Sequence, residues 1–138
     1  MRVLPLLLLV GCTTTTMEIE ATGTVAGPAG DRHVTVHFAE EGQGSTAHPL
    51  GPLVTEVFAE EAISLRFDYP VDDGTGLVVY AWIDVDGDGV HCAVGVLDEP
   101  AGLVELAPPG TTPQANQTFD LTADEPCAGP EEFYPAAG

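Results

Sequence analysis

The chain contains no lysine and only three arginines, whereas 22 of its residues are aspartate or glutamate. Its formal net charge is therefore −19 at pH 7. Nucleic-acid binding depends on cationic side chains that displace counterions from phosphates, so this composition argues against a nucleic-acid partner. An anionic membrane surface would also repel the folded domain. We expect an acidic exterior that attracts divalent cations.

The chain also lacks a continuous apolar run of the roughly 20 residues that a membrane-spanning helix requires. Residues 3–10 form a shorter run, interrupted by Pro5 and preceded by Met1-Arg2. The run leads into Leu9-Val10-Gly11-Cys12. A positive start, a short apolar stretch and small residues before a cysteine are typical of a secretory signal. The pattern resembles the lipobox of a bacterial lipoprotein signal peptide.

This resemblance implies cleavage before Cys12, a diacylglyceryl thioether on its sulfur and an acylated new N-terminus, with palmitate among the chains. Residues 1–11 are then the signal peptide, and residues 12–16 are the lipidated cysteine with a threonine-rich tether. Thr13 follows the cysteine instead of aspartate, which by analogy with enteric lipoproteins favours the outer membrane. We expect a bacterial cell-envelope protein that is anchored to the membrane by its lipid.

Cysteine is scarce, and its number fits this expectation. Of three cysteines, Cys92 and Cys127 remain once Cys12 carries lipid. An even pair in an oxidising compartment predicts a disulfide. The absence of a Cys-x-x-Cys spacing argues against a metal–thiolate site.

Short apolar–polar alternations separated by glycine and proline predict an all-β domain. Strands are expected at 17–25, 33–38, 64–69, 77–83, 92–97, 102–106 and 117–123, and the nearly all-apolar stretch 77–83 is expected at the centre of a sheet. Residues 53–61 fit either a one- to two-turn helix or a strand. About seven strands predict an antiparallel two-sheet sandwich over residues 17–125, followed by an irregular C-terminal tail, 126–138.

The stretch from Gly76 to Gly89 sharpens this expectation. A hydrophobic strand runs directly into Asp84-Val85-Asp86-Gly87-Asp88-Gly89. This pattern resembles bacterial transthyretin-like and carboxypeptidase-regulatory-like sandwiches, in which a strand leads into a D-x-D-x-D-G loop. The resemblance implies an immunoglobulin- or transthyretin-like sandwich.

Asp84, Asp86 and Asp88 also match the first half of a calcium loop. Calcium takes six to eight oxygen ligands, and alternate residues of a tight turn can direct carboxylates to one point. The backbone carbonyl of Val90 is the expected next ligand. The loop has Gly95 where a bidentate glutamate would close the site, so Asp98, Glu99 or water must supply the remaining ligands.

The alternative for this segment is a metal-free Asp-Gly turn. If calcium binds, the site is expected to stabilise the loop and not to catalyse a reaction. Tyr80 and Trp82 share one face of the predicted central strand, where they either stack on a ligand or lie buried beneath Phe133 and Tyr134. His33 is expected to point into solvent, as is His37.

No catalytic residue can be assigned, since the sequence shows neither a nucleophile elbow nor a catalytic histidine pairing. We therefore expect a non-enzymatic envelope module that binds an unknown protein or glycan or has a structural role. The alternative is a small glycosidase-like hydrolase that uses two acids.

Overall fold

The protein is described here by a computed structural model that covers residues 15–41, 47–70, 76–92 and 99–133. This part of the chain forms eight strands and one short 3₁₀ turn at Pro130–Glu132. The strands are β1 (Thr16–Ala26), β2 (Asp31–Glu41), β3 (Ala47–Phe58), β4 (Ala62–Pro70), β5 (Gly76–Asp84), β6 (Pro100–Ala107), β7 (Asn116–Thr122) and β8 (Glu125–Pro126).

The strands form two sheets, which confirms the predicted all-β two-sheet architecture. The smaller sheet has the order β4-β1-β7, and the larger has the order β3-β2-β5-β6-β8. One pairing differs from the antiparallel expectation, because β7 runs parallel to β1. The remaining neighbours pair antiparallel.

The core lies between the sheets and follows the alternation of the sequence. Alternate residues of each strand point inward, and their apolar side chains are almost completely shielded from solvent. The main contributors are Ile19, Ala21, Val25, Val34, Val36, Ile63, Leu65, Phe67, Tyr69, Leu77, Val79, Ala81, Ile83, Phe119 and Leu121. Strand β5 is buried along almost its whole length, as its apolar composition predicted.

The helix considered at residues 53–61 does not form. Strand β3 occupies residues up to Phe58 and pairs with β2, where the hydroxyls of Thr35 and Thr55 lie 3.2 Å apart. The β-branched residues Thr55 and Val57 favour this extended conformation. The register of the β2–β3 pairing shifts here: Val36 and His37 are consecutive in β2 but pair with Val54 and Pro52 of β3. Leu53 is therefore an extra residue in β3, and it disturbs the two-residue alternation at the start of the segment that suggested a helix.

Several predictions concern positions outside the described residues. These are the signal peptide, Cys12 and most of the tether, residues 93–97 of the strand expected at 92–97, Asp98 and Tyr134. Among the residues that are described, no helix has the length and apolar character needed to cross a membrane.

Candidate metal centre

The centre begins where β5 ends at Asp84, which is only 4% exposed. The two oxygens of its carboxylate accept hydrogen bonds from the Gly87 amide at 2.9 Å and the Gly89 amide at 2.8 Å. Both glycines have φ of +75°, a conformation that glycine adopts without a steric penalty. The loop therefore wraps around the Asp84 carboxylate.

The next two aspartates repeat this local pattern on the exposed side of the loop. Asp86 accepts a hydrogen bond from the Asp88 amide at 3.2 Å, and Asp88 accepts one from the Val90 amide at 2.9 Å. Such bonds to an amide two residues ahead are typical of aspartate in turns. Val90, whose carbonyl was expected to bind metal, ends this series with an exposed side chain.

Glu99 brings a fourth carboxylate to the same place. Strands β5 and β6 pair with Trp82 opposite Ala101, so continuing this register by two residues places Glu99 opposite Asp84. Glu99 is fully buried. Its Oε1 accepts a hydrogen bond from the Cys92 amide at 2.6 Å, and its Oε2 accepts one from the Val85 amide at 3.1 Å.

Asp84, Asp86, Asp88 and Glu99 together are called the carboxylate cluster below. One oxygen from each of the four residues lies within 4.8 Å of the others. This acidic group could hold a metal ion. Of the two acids that the sequence offered to complete the loop, Glu99 lies in the cluster, and Asp98 is outside the described residues.

The crowding of carboxylates changes their protonation. Desolvation raises the pKa of Asp86 to about 6, and the side chains of Asp88 and Glu99 add to this increase. Burial also acts to raise the pKa of Asp84, but the Gly89 amide and the neighbouring carboxyl groups outweigh it and hold that pKa below its ordinary value. The cluster therefore favours a proton or another cation on its exposed side.

An aromatic stack lies beside the cluster. The ring of Trp82 is sandwiched between His33, at a centroid distance of 4.1 Å, and His91, at 4.6 Å. His33 Nε2 also lies 3.7 Å from Asp84 Oδ2. The expectation that His33 points freely into solvent is therefore wrong, because the β2–β5 register places it opposite Trp82. His37 is half-buried and forms an edge contact with Tyr80.

Tyr80 lies in the interior instead of on a ligand-binding surface. Its hydroxyl donates a 2.6 Å hydrogen bond to the Ala128 carbonyl, and Phe133 contacts its ring edge-on. Burial raises the pKa of Tyr80, and the charges of Glu131 and Glu132 raise it further. The C-terminal segment therefore covers this face of β5.

Cys92 and Cys127 form the disulfide that the sequence predicted, with their Cα atoms 5.6 Å apart. The bond links the end of the aspartate loop to the segment that covers Tyr80. Sequence reasoning did not find the involvement of His33 and His91, since both depend on strand pairing and loop closure. No family model, curated protein or solved structure matches this chain.

Proposed function

We propose that this protein is a lipid-anchored β-sandwich module of the bacterial cell envelope, with a structural calcium ion in the carboxylate cluster. Its role is to bind envelope material, protein or glycan, or to support the envelope structurally, without catalysis. The observation that carries the proposal is the convergence of four carboxylates, one of them fully buried.

The missing positive charge argues for a cation. Backbone amides compensate the buried carboxylates of Asp84 and Glu99 individually, but they do not cancel the mutual repulsion of four neighbouring carboxylates. Among the described residues, neither arginine supplies the compensating charge: Arg66 pairs with Glu20 at 2.7 Å, and Arg32 donates to backbone carbonyls. The nearby His33 is positive only when protonated. A bound divalent cation would offset two of the four negative charges that the cluster carries when all its carboxylates are ionised.

The donor set favours calcium over magnesium. Oxygens on opposite sides of a calcium ion are about 4.6–5.2 Å apart, because each Ca–O distance is about 2.3–2.6 Å. The cluster, whose oxygens all lie within 4.8 Å of one another, is compatible with this span. Magnesium usually retains several waters and uses one or two carboxylates, whereas this cluster offers four.

The surface supports binding more than hydrolysis. A glycosidase-like enzyme needs two carboxylates that flank a substrate cleft. One concavity of about 190 Å³ is lined by Pro28, Val85, Pro100 and Pro126. A second, of about 380 Å³, lies along the segment after β6, next to Leu106 and Gln117. No described residue that lines either concavity is acidic.

The anchor rests on the sequence Leu9-Val10-Gly11-Cys12, and the disulfide agrees with an oxidising compartment. Mass spectrometry of the protein from bacterial membranes should show a chain that begins at an acylated Cys12. A Cys12→Ala variant should lose the lipid and leave the membrane fraction. An unmodified chain starting at Met1 in the wild-type sample would contradict the anchor.

Calcium binding is tested by thermal unfolding with calcium chloride or with chelator. At about 100 times its Kd, a ligand stabilises the native state by about 2.7 kcal/mol. For a domain of this size, this corresponds to a rise in Tm on the order of 10 °C. Extracellular calcium modules bind with a Kd of about 10⁻⁴–10⁻³ M, so about 10–100 mM calcium chloride is needed to reach this ratio.

Two variants with the same change in charge separate specific binding from general screening. Asp86→Asn together with Asp88→Asn should abolish the rise in Tm. Glu56→Gln together with Asp68→Asn, at exposed positions on β3 and β4, should preserve it. Terbium offers a second readout, since Trp82 is the only tryptophan and its stacked neighbour His33 touches Asp84. An equal rise in Tm with calcium in both variants would contradict calcium binding at the carboxylate cluster.

A further inference from the structure

We propose that the Cys92–Cys127 disulfide sets the metal affinity of the carboxylate cluster by holding Glu99 in position. The cluster then reaches its full affinity only in the oxidised protein. This inference rests on the proposed calcium site, and it adds a redox control that acts on a single ligand of that site.

Both cysteines hold Glu99, each at a different end. The Cys92 amide donates to the carboxylate oxygen Oε1 at 2.6 Å. The Cys127 amide donates to the main-chain carbonyl of Glu99 at 3.2 Å. The disulfide joins these two donors covalently. Glu99 is therefore clamped between the two halves of one cross-link.

The backbone conformations of Cys92 and Cys127 support the idea that the cross-link holds both residues in position. Cys92 has φ of 51° and Cys127 has φ of 56°, and they are the non-glycine residues of the described chain with positive φ. Residues with a Cβ rarely adopt this conformation, because the Cβ approaches backbone oxygen. Conformations of this kind persist where the surroundings enforce them. Here the cross-link opposes relaxation at both positions.

The C-terminal segment is held by contacts other than the disulfide. Tyr80 donates a hydrogen bond to the Ala128 carbonyl, and Phe133 contacts the Tyr80 ring. The core between the sheets lies on the opposite face of β5. We therefore expect reduction to leave the sandwich folded while it releases Cys92 and the end of the aspartate loop.

Reduction by a dithiol such as dithiothreitol has a simple balance. The S–S bond breaks, and Cys92 and Cys127 each gain a proton and become thiols. The dithiol supplies the two electrons and two protons and closes into a cyclic disulfide. Loss of groups that orient a metal ligand typically lowers metal affinity by about 10–100-fold, and we expect a decrease of this size in calcium affinity.

Calorimetric titration with calcium chloride tests this on the full chain in detergent. The oxidised protein, the dithiothreitol-reduced protein and the Cys92→Ala/Cys127→Ala variant are compared, and each is checked for folding by circular dichroism. The two proteins without the disulfide should bind calcium about 10–100-fold more weakly. Phe133→Ala is the matched control, since it removes the ring contact between the same segment and Tyr80 without breaking the cross-link, and it should retain the oxidised affinity.

A second comparison asks whether the effect passes through Glu99. In a Glu99→Gln background, reduction should produce little further loss, because the ligand that the disulfide positions is already altered. If reduction and Glu99→Gln lower the calcium affinity independently and additively, the effect of the disulfide does not pass through Glu99. Equal affinity in the oxidised and reduced proteins would overturn the redox control and leave the calcium site intact. No calcium binding by the oxidised protein would instead overturn the proposed function.

Discussion

Alternate residues of β5 face two different environments. Leu77, Val79, Ala81 and Ile83 point to the smaller sheet and pack among aliphatic side chains. On the other face, Tyr80 and Trp82 lie beneath the C-terminal segment and two histidines, and Asp84 enters the carboxylate cluster. One strand thus supports a hydrophobic core and a polar, cross-linked site.

The two faces of β5 differ in how strongly their interactions respond to solution conditions. Burial of aliphatic surface depends little on pH, redox state or metal ions. Carboxylates, histidines and a disulfide respond to all three. We therefore expect the inner face to set the overall stability of the fold and the outer face to set how that stability varies with solution conditions.

The largest effect is expected from the inner face. Leu77→Ala removes a fully buried side chain and should lower the free energy of unfolding by about 2–5 kcal/mol. Chemical denaturation should give the same decrease in calcium and in chelator, because this side chain does not contact the cluster. A decrease that appears only in calcium would show that the two faces are energetically linked.

Arg32 is a polar exception close to the aliphatic core, and it sharpens the comparison. It is only 4% exposed, and its guanidinium donates to the carbonyls of Val25 and Gly30 at 3.1 and 2.6 Å. Arg32→Met should leave buried acceptors unpaired at a cost of about 1–3 kcal/mol. Denaturation with and without calcium should show equal losses. A loss confined to the calcium-loaded protein would place Arg32 in the metal site's network instead.

The outer face should respond to pH through Asp86. Its pKa in the folded protein is raised to about 6 from an ordinary value of 3.8, so between these values the native state holds more protons than the unfolded state. Without metal, stability should therefore fall as pH rises from about 4 to 6 and remain lower above that range. The lowered pKa of Asp84 acts in the opposite direction, because its stabilisation is lost only as pH falls.

The Asp86→Asn variant isolates this contribution. The difference in Tm between the wild type and the variant, measured in chelator, should change with pH between 4 and 6. Calcium affinity of the wild type should also weaken below pH 6, since the ion must displace the proton on Asp86. A difference in Tm that stays constant over this range would contradict the raised pKa.

The sequence predicted the strands well because alternation is a local signal. Residues such as Leu65, Phe67 and Tyr69 reveal their buried face without knowledge of their neighbours. It could not predict the parallel pairing of β1 with β7, or the position of His33 opposite Trp82, because both depend on contacts between distant segments. The helical spacing at residues 53–61 was misleading for a related reason, since the extra residue Leu53 in β3 is recognisable only from the pairing of β3 with β2.

The candidate site could be predicted in part from the sequence, for the same reasons. Three aspartates at alternate positions form a local pattern, and the prediction that Cys12 carries lipid left Cys92 and Cys127 as the expected pair. The sequence offered Glu99 only as one of two candidates, because its place opposite Asp84 follows from the β5–β6 register. The clamp of both cysteine amides on Glu99 required three-dimensional coordinates.

The smallest effect is expected at Val90, where the proposal assigns a role to the backbone and none to the side chain. The side chain is 53% exposed, so Val90→Ala should change stability by no more than about 0.5 kcal/mol and leave calcium affinity unchanged. Val90→Pro removes the amide that donates to Asp88 and should weaken calcium binding. Calcium titration of both variants distinguishes the two roles, because a strong effect of Val90→Ala would mean that the side chain itself shapes the loop.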